Sequence, residues 1–151
     1  MTAPQLRPAT PDDVPSIDAL VAAAYGPWVA VIGAVPGPMR DDYRDAVADG
    51  VIQVIDGALG IAAMLILRPQ RGAMLLENVA VHPDAQGQGL GKLLIGAAER
   101  ATRALGFDRI ILYTHAKMAS NIALYERAGF AVVEERHEQG LDRIYMEKRL
   151  A

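Results

Sequence analysis

Residues 79–92 read Val-Ala-Val-His-Pro-Asp-Ala-Gln-Gly-Gln-Gly-Leu-Gly-Lys, and this stretch decides the fold. It begins with β-branched, apolar residues that are typical of a strand, and Pro83 then marks a turn. Gly87, Gly89 and Gly91 lead into an amphipathic helix, whose first N–H groups have no intrahelical partner and attract an anion. Glycine also lets a phosphate approach the backbone where a Cβ would obstruct it. The stretch therefore predicts a strand, a phosphate-binding turn and a helix.

Other interpretations of this glycine pattern fit less well. A P-loop requires a hydroxyl residue after Gly-Lys, but Gly91-Lys92 is followed by Leu93. The dinucleotide-binding turn has the spacing G-x-G-x-x-G at the first strand of a chain, whereas the spacing here is G-x-G-x-G. A tight turn without a ligand would explain one glycine better than three that alternate ahead of a helix. The pattern favours a pyrophosphate site, to which Lys92 adds a charge.

The flanking sequence predicts the other elements. Apolar residues recur at helical spacing from Leu90 to Leu105, and Gly106 ends that helix. Asp56-Gly57 joins two apolar runs, which is typical of a hairpin. The predicted strands cover residues 5–8, 51–55, 59–67, 73–81, 109–114, 130–136 and 141–146, and further helices cover residues 13–24, 40–49 and 120–128. A strand, a long helix and a strand in the middle imply one parallel crossover within a mixed, mostly antiparallel sheet.

Length and composition narrow the possible functions. The 151 residues predict a single domain of α/β class (α+β type) with helices on both faces of the sheet. The net charge of −3 argues against nucleic acid or an anionic membrane as a partner. The chain has no cysteine, which excludes disulfides and a thiol nucleophile and fits a cytoplasmic location. Residues 1–7 lack the apolar run of a signal peptide, residues 59–67 are too short to span a bilayer, and no histidine–carboxylate spacing predicts a metal.

Two motifs resemble one known family. Gln86–Gly91 is similar to the Q/R-x-x-G-x-G/A signature of the GCN5-related N-acetyltransferases (GNAT), and Ser120–Phe130 is similar to that family's L-Y-x-x-x-G-F/Y hallmark. The resemblance covers essentially the whole chain and also extends to the order of elements. It implies the acyl-CoA N-acyltransferase fold, acetyl-CoA as co-substrate and an amine as acceptor. Dimers are common among the relatives, so a homodimer is possible.

The resemblance also implies which residues hold coenzyme A. The pyrophosphate-binding residues would be Gln86, Gly87, Gln88, Gly89, Leu90, Gly91 and Lys92. Backbone groups of Val79, Ala80 and Val81 would pair with the pantetheine arm, since an open strand edge recruits an extended amide-bearing chain. Family members often carry an asparagine where this chain has Met118. Asn121, one turn later, either takes over that role or only helps to start the helix.

Tyr125 is the candidate general acid. Aminolysis of a thioester expels a thiolate, and a phenol with a pKa of about 10 stays protonated at neutral pH and so has a proton to give. The alternative is a core tyrosine packed against Phe130.

Glu77 is the candidate general base. If Val79 and Val81 face the core, alternation along the strand places Glu77 on the same face, where burial would raise its pKa. The resemblance implies that this glutamate acts directly or through water. An ion pair with a nearby arginine is the alternative explanation, and His115 is an alternative base.

The acceptor pocket is expected to contain Tyr25, Trp28, Tyr113 and His115, with the final hairpin as a further wall. A cluster of acidic residues in that hairpin would suit a cationic amine. Three functions stay open at this stage. The chain acetylates a small amine, it acetylates a protein at an α-amine or a lysine, or it binds acyl-CoA without turnover.

Overall fold

The computed structural model describes residues 4–150. The strands are β1 (Leu6–Pro8), β2 (Ile52–Gly57), β3 (Gly60–Gln70), β4 (Ala73–Val81), β5 (Arg109–His115), β6 (Ala131–Glu138) and β7 (Leu141–Arg149). The α-helices are α1 (Val14–Tyr25), α2 (Trp28–Ile32), α3 (Tyr43–Ala48), α4 (Leu90–Ala104) and α5 (Ala119–Arg127), and short 3-10 turns cover residues 11–13, 37–40 and 83–85. The helix predicted over residues 40–49 is therefore shorter, because residues 37–40 form a 3-10 turn after Pro36.

The seven strands form one sheet in the order β1-β2-β3-β4-β5-β7-β6. Every neighbouring pair is antiparallel except β4 and β5, which α4 joins by a crossover. The predicted mixed, mostly antiparallel sheet with one parallel crossover is confirmed. Pairing of β4 with β5 covers only Met74–Ile110 and Leu75–Ile111, although both strands continue well beyond these pairs. The sheet therefore opens between β4 and β5 toward the carboxyl ends of the two strands.

Two hydrophobic clusters cover the two faces of this sheet. The first packs α4 and α5 against one face and includes Leu94, Ala98 and Leu112. The second packs α1 and α3 against the other face and includes Ile17 and Met64. Successive apolar residues of the central strands point alternately into the two clusters, so these strands are buried on both faces. Helices on both faces, as expected, are confirmed.

A β-bulge at Glu77 changes the alternation along β4. Leu76 pairs with Leu67 and Asn78 pairs with Ile66, so Glu77 is an extra residue opposite β3. Beyond the bulge Val79 lies in the α4-side cluster, whereas Asn78 reaches the tyrosines of the α1 side. The expectation that Glu77 shares a face with Val79 and Val81 is therefore wrong. A bulge adds one residue and shifts every later side chain to the opposite face, which a period-two count along the sequence does not register.

Arg7 holds the first strand to the rest of the domain. Its guanidinium donates hydrogen bonds of 2.7–2.9 Å to Asp13 and Asp56. The hydrogen bonds from Arg7 hold the pKa of Asp13 well below its usual range. A carboxyl whose pKa is lowered by folding stabilises the fold above about pH 4, and this contribution is lost as the pH falls below that value.

We expect Arg7→Met to lower the free energy of unfolding at pH 7 by roughly 1–2 kcal/mol, a modest value because Arg7 is partly exposed and water screens its attraction. The loss at pH 3 should be smaller, since Asp13 of the unfolded chain then takes up a proton while the folded carboxylate stays ionised, which reduces the stabilisation by the ion pair. Urea unfolding at both pH values measures the difference. Arg44→Met is the matched control, because the Arg44–Asp42 pair is exposed and its loss should leave stability nearly unchanged. An equal loss for Arg7→Met at both pH values would contradict the assignment.

Candidate active site

The edge of β4 that borders the opening has free backbone groups. The His82 N–H donates to the Ala62 carbonyl at 2.8 Å, which marks a hydrogen-bonded pair of the β3–β4 ladder. Hydrogen-bonded and non-bonded pairs alternate in an antiparallel ladder. Val81 and Val79 therefore belong to non-bonded pairs, opposite Ala63 and Leu65. Their N–H and C=O groups point away from β3, into the opening.

The glycine turn brings further free N–H groups to the same opening. Gly87 and Gly89 have φ values of +83° and +78°, a left-handed conformation that side chains disfavour. The first hydrogen bond of α4 runs from the Leu93 N–H to the Gly89 carbonyl at 3.0 Å, and no side chain caps the helix. The N–H groups of residues 90–92 are therefore without intrahelical partners, and they carry the positive end of a 15-residue helix.

These two features line one cleft of about 620 Å³. The predicted residues that line it are Tyr25, Trp28, Val79, Ala80, Val81, Gln86, Gly87, Gly89, Leu90, Gly91, Lys92 and Asn121. Residues that line it without having been predicted include Ala24, Pro27, Pro83, Ala85, Ser120, Leu124 and Arg127. Arg127 is the last residue of α5, the helix that contains the second motif, and adds a second positive charge to the cleft beside Lys92. Gln88 lines a different groove, beside the β2–β3 hairpin, because the turn directs it to the other side of Leu90.

Tyr125 packs beside this cleft and is not among its lining residues. It is buried, and its ring meets that of Phe130 edge-on, with 5.8 Å between the centroids. Burial raises the pKa of its phenol. Within residues 4–150 every fully buried polar side-chain atom has a hydrogen-bond partner. The Tyr125 hydroxyl has no such partner, so it is not fully buried and is in contact with solvent. Tyr125 therefore packs in the core against Phe130 and at the same time has a hydroxyl without a hydrogen-bond partner in the protein.

Tyr25 belongs to a buried line of hydrogen bonds that sequence reasoning missed. Its hydroxyl donates to Asn78 Oδ1 at 2.5 Å and lies 3.4 Å from the Val79 carbonyl oxygen. Asn78 Nδ2 reaches the hydroxyl of Tyr43 at 3.4 Å, and that hydroxyl donates to the Pro38 carbonyl at 2.5 Å. The one signal in the sequence was a polar pair, Glu77-Asn78, within an otherwise apolar strand.

Glu77 lies on the α1 side of the sheet, beside this line. Arg68 Nε donates a hydrogen bond to Glu77 Oε1 at 3.0 Å. The ion pair with an arginine, which was the alternative explanation for Glu77, is therefore present. Within the described part of the chain Oε2 of Glu77 has no protein partner. Glu77 is also close enough to Asp41 to raise the pKa of that carboxyl, after the larger effect of burial.

The other two predicted acceptor residues lie outside the cleft. Tyr113 is exposed on the face opposite α4, and its ring lies 5.5 Å from that of Tyr145. His115 follows on the same face, and its Nδ1 accepts a hydrogen bond from the Lys117 N–H at 3.0 Å. Partial burial lowers the pKa of His115. Neither residue lines the cleft.

Residues 4–150 contain no group of three or more histidine or carboxylate side chains that could hold a metal ion. None of the helices in this range combines the length and the apolar character needed to cross a membrane.

Solved structures share this architecture. PaiA N-acetyltransferase from Thermoplasma acidophilum, solved in complex with coenzyme A, superposes with a TM-score of 0.83 at 17% identity, over 98% of this chain and 99% of that one. A GNAT-family acetyltransferase from Desulfovibrio desulfuricans gives a TM-score of 0.79 at 21% identity, over 99% and 100% of the two chains. At these identities the likeness shows the fold.

Sequence relatives match over shorter stretches. Mycothiol acetyltransferase of Beutenbergia cavernae is 38% identical over 86 residues, which is 57% of this chain and 29% of that protein. The enzyme of the same name from Saccharomonospora viridis is 48% identical over 56 residues, 37% of this chain and 18% of that protein. The matched stretches thus cover less than a third of the length of these relatives. The family model described as "Acetyltransferase (GNAT) family" matches residues 21–130. With most of its length matched and both motifs at the cleft, the chain belongs to the GNAT family of acetyltransferases.

Proposed function

We propose that this protein transfers the acetyl group of acetyl-CoA to an amine of a small molecule or a peptide. The observation that carries the proposal is that two sets of free backbone groups, at Val79 and Val81 on the β4 edge and at residues 90–92 at the start of α4, face one cleft. An extended amide-bearing chain pairs with the strand edge, and a diphosphate suits the helix start. Coenzyme A contains both parts in one molecule.

The residues present fit coenzyme A. Gly87 and Gly89 have no side chain at the surface that a phosphate would approach, and a Cβ on Gly91 would lie 3.5 Å from Leu124, within the space between α4 and α5. Lys92 and Arg127 add positive charge at the cleft. Asn121 also lines the cleft, which supports its side-chain amide as the partner of the pantetheine amides. Met118, at the position where relatives often have asparagine, is buried in the α1-side cluster and offers no such hydrogen bond.

The chemistry follows from the groups around the opening. Bound acetyl-CoA supplies a thioester carbonyl and a thiolate leaving group. Backbone N–H groups of the open β4 edge stabilise negative charge on the carbonyl oxygen. As the amine nitrogen bonds the acetyl carbon and the C–S bond breaks, Glu77 removes the proton of the amine through a water molecule and Tyr125 protonates the sulfur.

A thiol-release assay tests the function. The protein is incubated with acetyl-CoA and a panel of amino acids, aminoglycosides, polyamines and peptides with free α-amines or lysines, while calorimetry measures the binding of coenzyme A. Thiol release with at least one amine supports the transferase, and the best class of amine separates metabolite from protein acetylation. Binding without thiol release would instead support an acyl-CoA-binding module. A protein that fails to bind coenzyme A at millimolar concentration would overturn both.

Replacing Glu77 tests the proposed base. We expect Glu77→Gln to lower kcat/KM by roughly 100-fold, because the amide cannot accept the proton. His115→Asn should change kcat/KM less than about threefold, since Glu77 is the proposed base and Nδ1 of His115 already accepts a hydrogen bond from the Lys117 N–H. The pH profile provides a second check, because a base must be deprotonated and the rate falls as the pH drops through its pKa. If His115→Asn abolished an acidic limb somewhat below pH 6.5, the histidine would be the base, since partial burial lowers its pKa.

A further inference from the structure

The hydrogen bonds between Tyr25, Asn78 and Tyr43 have a direction that the structure determines. Their far end is the Pro38 carbonyl, which only accepts. The Tyr43 hydroxyl therefore donates its single hydrogen to the Pro38 carbonyl. Toward Asn78 the same hydroxyl can only accept a hydrogen bond. The group that Asn78 turns toward Tyr43 must then be its NH₂, and the group that it turns toward Tyr25 must be its carbonyl oxygen. The direction of the whole line follows from an end that has no hydrogen to give.

This direction of the hydrogen bonds determines what the Tyr25 hydroxyl can offer a further partner. A phenol carries one hydrogen, and that of Tyr25 is committed to Asn78 at 2.5 Å. Because Tyr25 lines the cleft, a group that reaches its oxygen from there meets lone pairs only. Burial, followed by the nearby Tyr125, raises the pKa of Tyr25, so the oxygen stays a neutral phenol through the physiological range.

The location of this oxygen matches the entrance of the acceptor. Tyr25 lines the cleft and lies 3.4 Å from the Val79 carbonyl, at the opened edge of β4. It belongs to α1, on the face of the sheet opposite α4 and its glycine turn. When coenzyme A is bound at the start of α4, the α1 side of the cleft remains open to the acceptor amine.

We propose that the Tyr25 oxygen accepts a hydrogen bond from the N–H of the acceptor amine throughout the reaction, and that Asn78 is the residue that positions it. The inference rests on the proposed acetyltransferase function and names the residue by which a primary amine is recognised. A primary amine has two N–H bonds, forms the C–N bond, loses one proton to the base and still has one N–H for Tyr25. A secondary amine has none left after losing its proton, and neither has an alcohol. An acceptor that leaves a buried oxygen without its partner is rejected.

Matched pairs of amines test this discrimination. The probes are glycinamide, benzylamine and lysine amide, each with its N-methyl derivative at the reacting nitrogen. For the wild-type protein we expect kcat/KM to favour the primary amine by roughly 100-fold or more, beyond the intrinsic reactivity ratio of each pair measured without enzyme. Tyr25→Phe should reduce this preference at least tenfold while the affinity for coenzyme A stays unchanged. Calorimetric titration of the coenzyme A complex with the same pairs gives a readout that does not depend on turnover.

Variants of the line itself separate positioning from simple support of the fold. Tyr43→Phe removes the acceptor that orients Asn78, so the primary-amine preference should fall while the affinity for coenzyme A stays unchanged. Asn78→Leu should behave as Tyr25→Phe does, and if it fails to fold, the two tyrosine variants still decide the question. A preference that survives in Tyr25→Phe would overturn the inference alone. Absence of thiol release with every amine would overturn the proposed function, and this inference with it.

Discussion

Replacing Tyr125 by phenylalanine is expected to lower kcat by roughly 100- to 1,000-fold. The departing sulfur must gain a proton, and the Tyr125 hydroxyl is a protonated donor because burial raises its pKa. Phenylalanine keeps the ring and its edge-on contact with Phe130, so only the proton donor is lost. The affinity for coenzyme A should remain within about twofold, since the hydroxyl makes no contact with the glycine turn.

Steady-state kinetics at saturating amine, together with calorimetry for coenzyme A, measure the two effects. Phe130→Leu is the packing control. It loosens the same contact and should lower the free energy of unfolding by about 1–2 kcal/mol, but it keeps the hydroxyl and should keep kcat. If Tyr125→Phe and Phe130→Leu reduced kcat equally, Tyr125 would be a core residue and another group would protonate the sulfur.

Replacing Gly89 by aspartate is expected to weaken coenzyme A binding by roughly 100-fold or more, about 2.7 kcal/mol. The left-handed φ of Gly89 makes any side chain costly there, and the new carboxylate would occupy the positive end of α4 in place of a phosphate. Two like charges at this close range repel each other even after screening by water. Calorimetric titration with coenzyme A measures the change.

Gly72→Asp is the matched control. Gly72 has nearly the same φ of +80° and, like Gly89, has nothing within 4 Å of the position that a Cβ would take. It lies between β3 and β4, away from the cleft, so aspartate there causes similar backbone strain without meeting a phosphate. Coenzyme A affinity should fall for Gly89→Asp alone. A similar loss in both variants would mean that general destabilisation, and not the anion site, explains the result.

Most of the sheet was predictable because its signals are local. A hairpin joins β2 to β3 as predicted, but its turn is Ala58-Leu59 and not Asp56-Gly57, because both predicted turn residues still pair with β3. The apolar period of residues 90–105 matches α4 closely. The ends of elements were less predictable. β7 runs to Arg149, three residues beyond the predicted end, because Glu147 and Arg149 pair with β6 and β5 although their side chains are polar. Strand length in this hairpin depends on its partners more than on its own composition.

The candidate site was predictable in part for the same reason. The glycine turn and the open edge of β4 are contiguous in sequence, so their residues were identified together. Tyr25 and Asn78 lie 53 positions apart, and their hydrogen bond depends on α1 packing across β4. Glu77 was placed on the wrong face because its bulge reflects the register with β3. Contacts between distant segments leave no pattern within either one.

The amino-acid sequence by itself determined where the chain turns, where α4 begins and which backbone groups there are left free for a phosphate, because these depend on residues within a few positions of one another. Only the tertiary structure decided which side chains meet at the cleft and which way the hydrogen of Tyr25 points. The physical reason is that strand register, the bulge in β4 and the packing of α1 are properties of several segments together. The chemistry of the acceptor side is determined at that level.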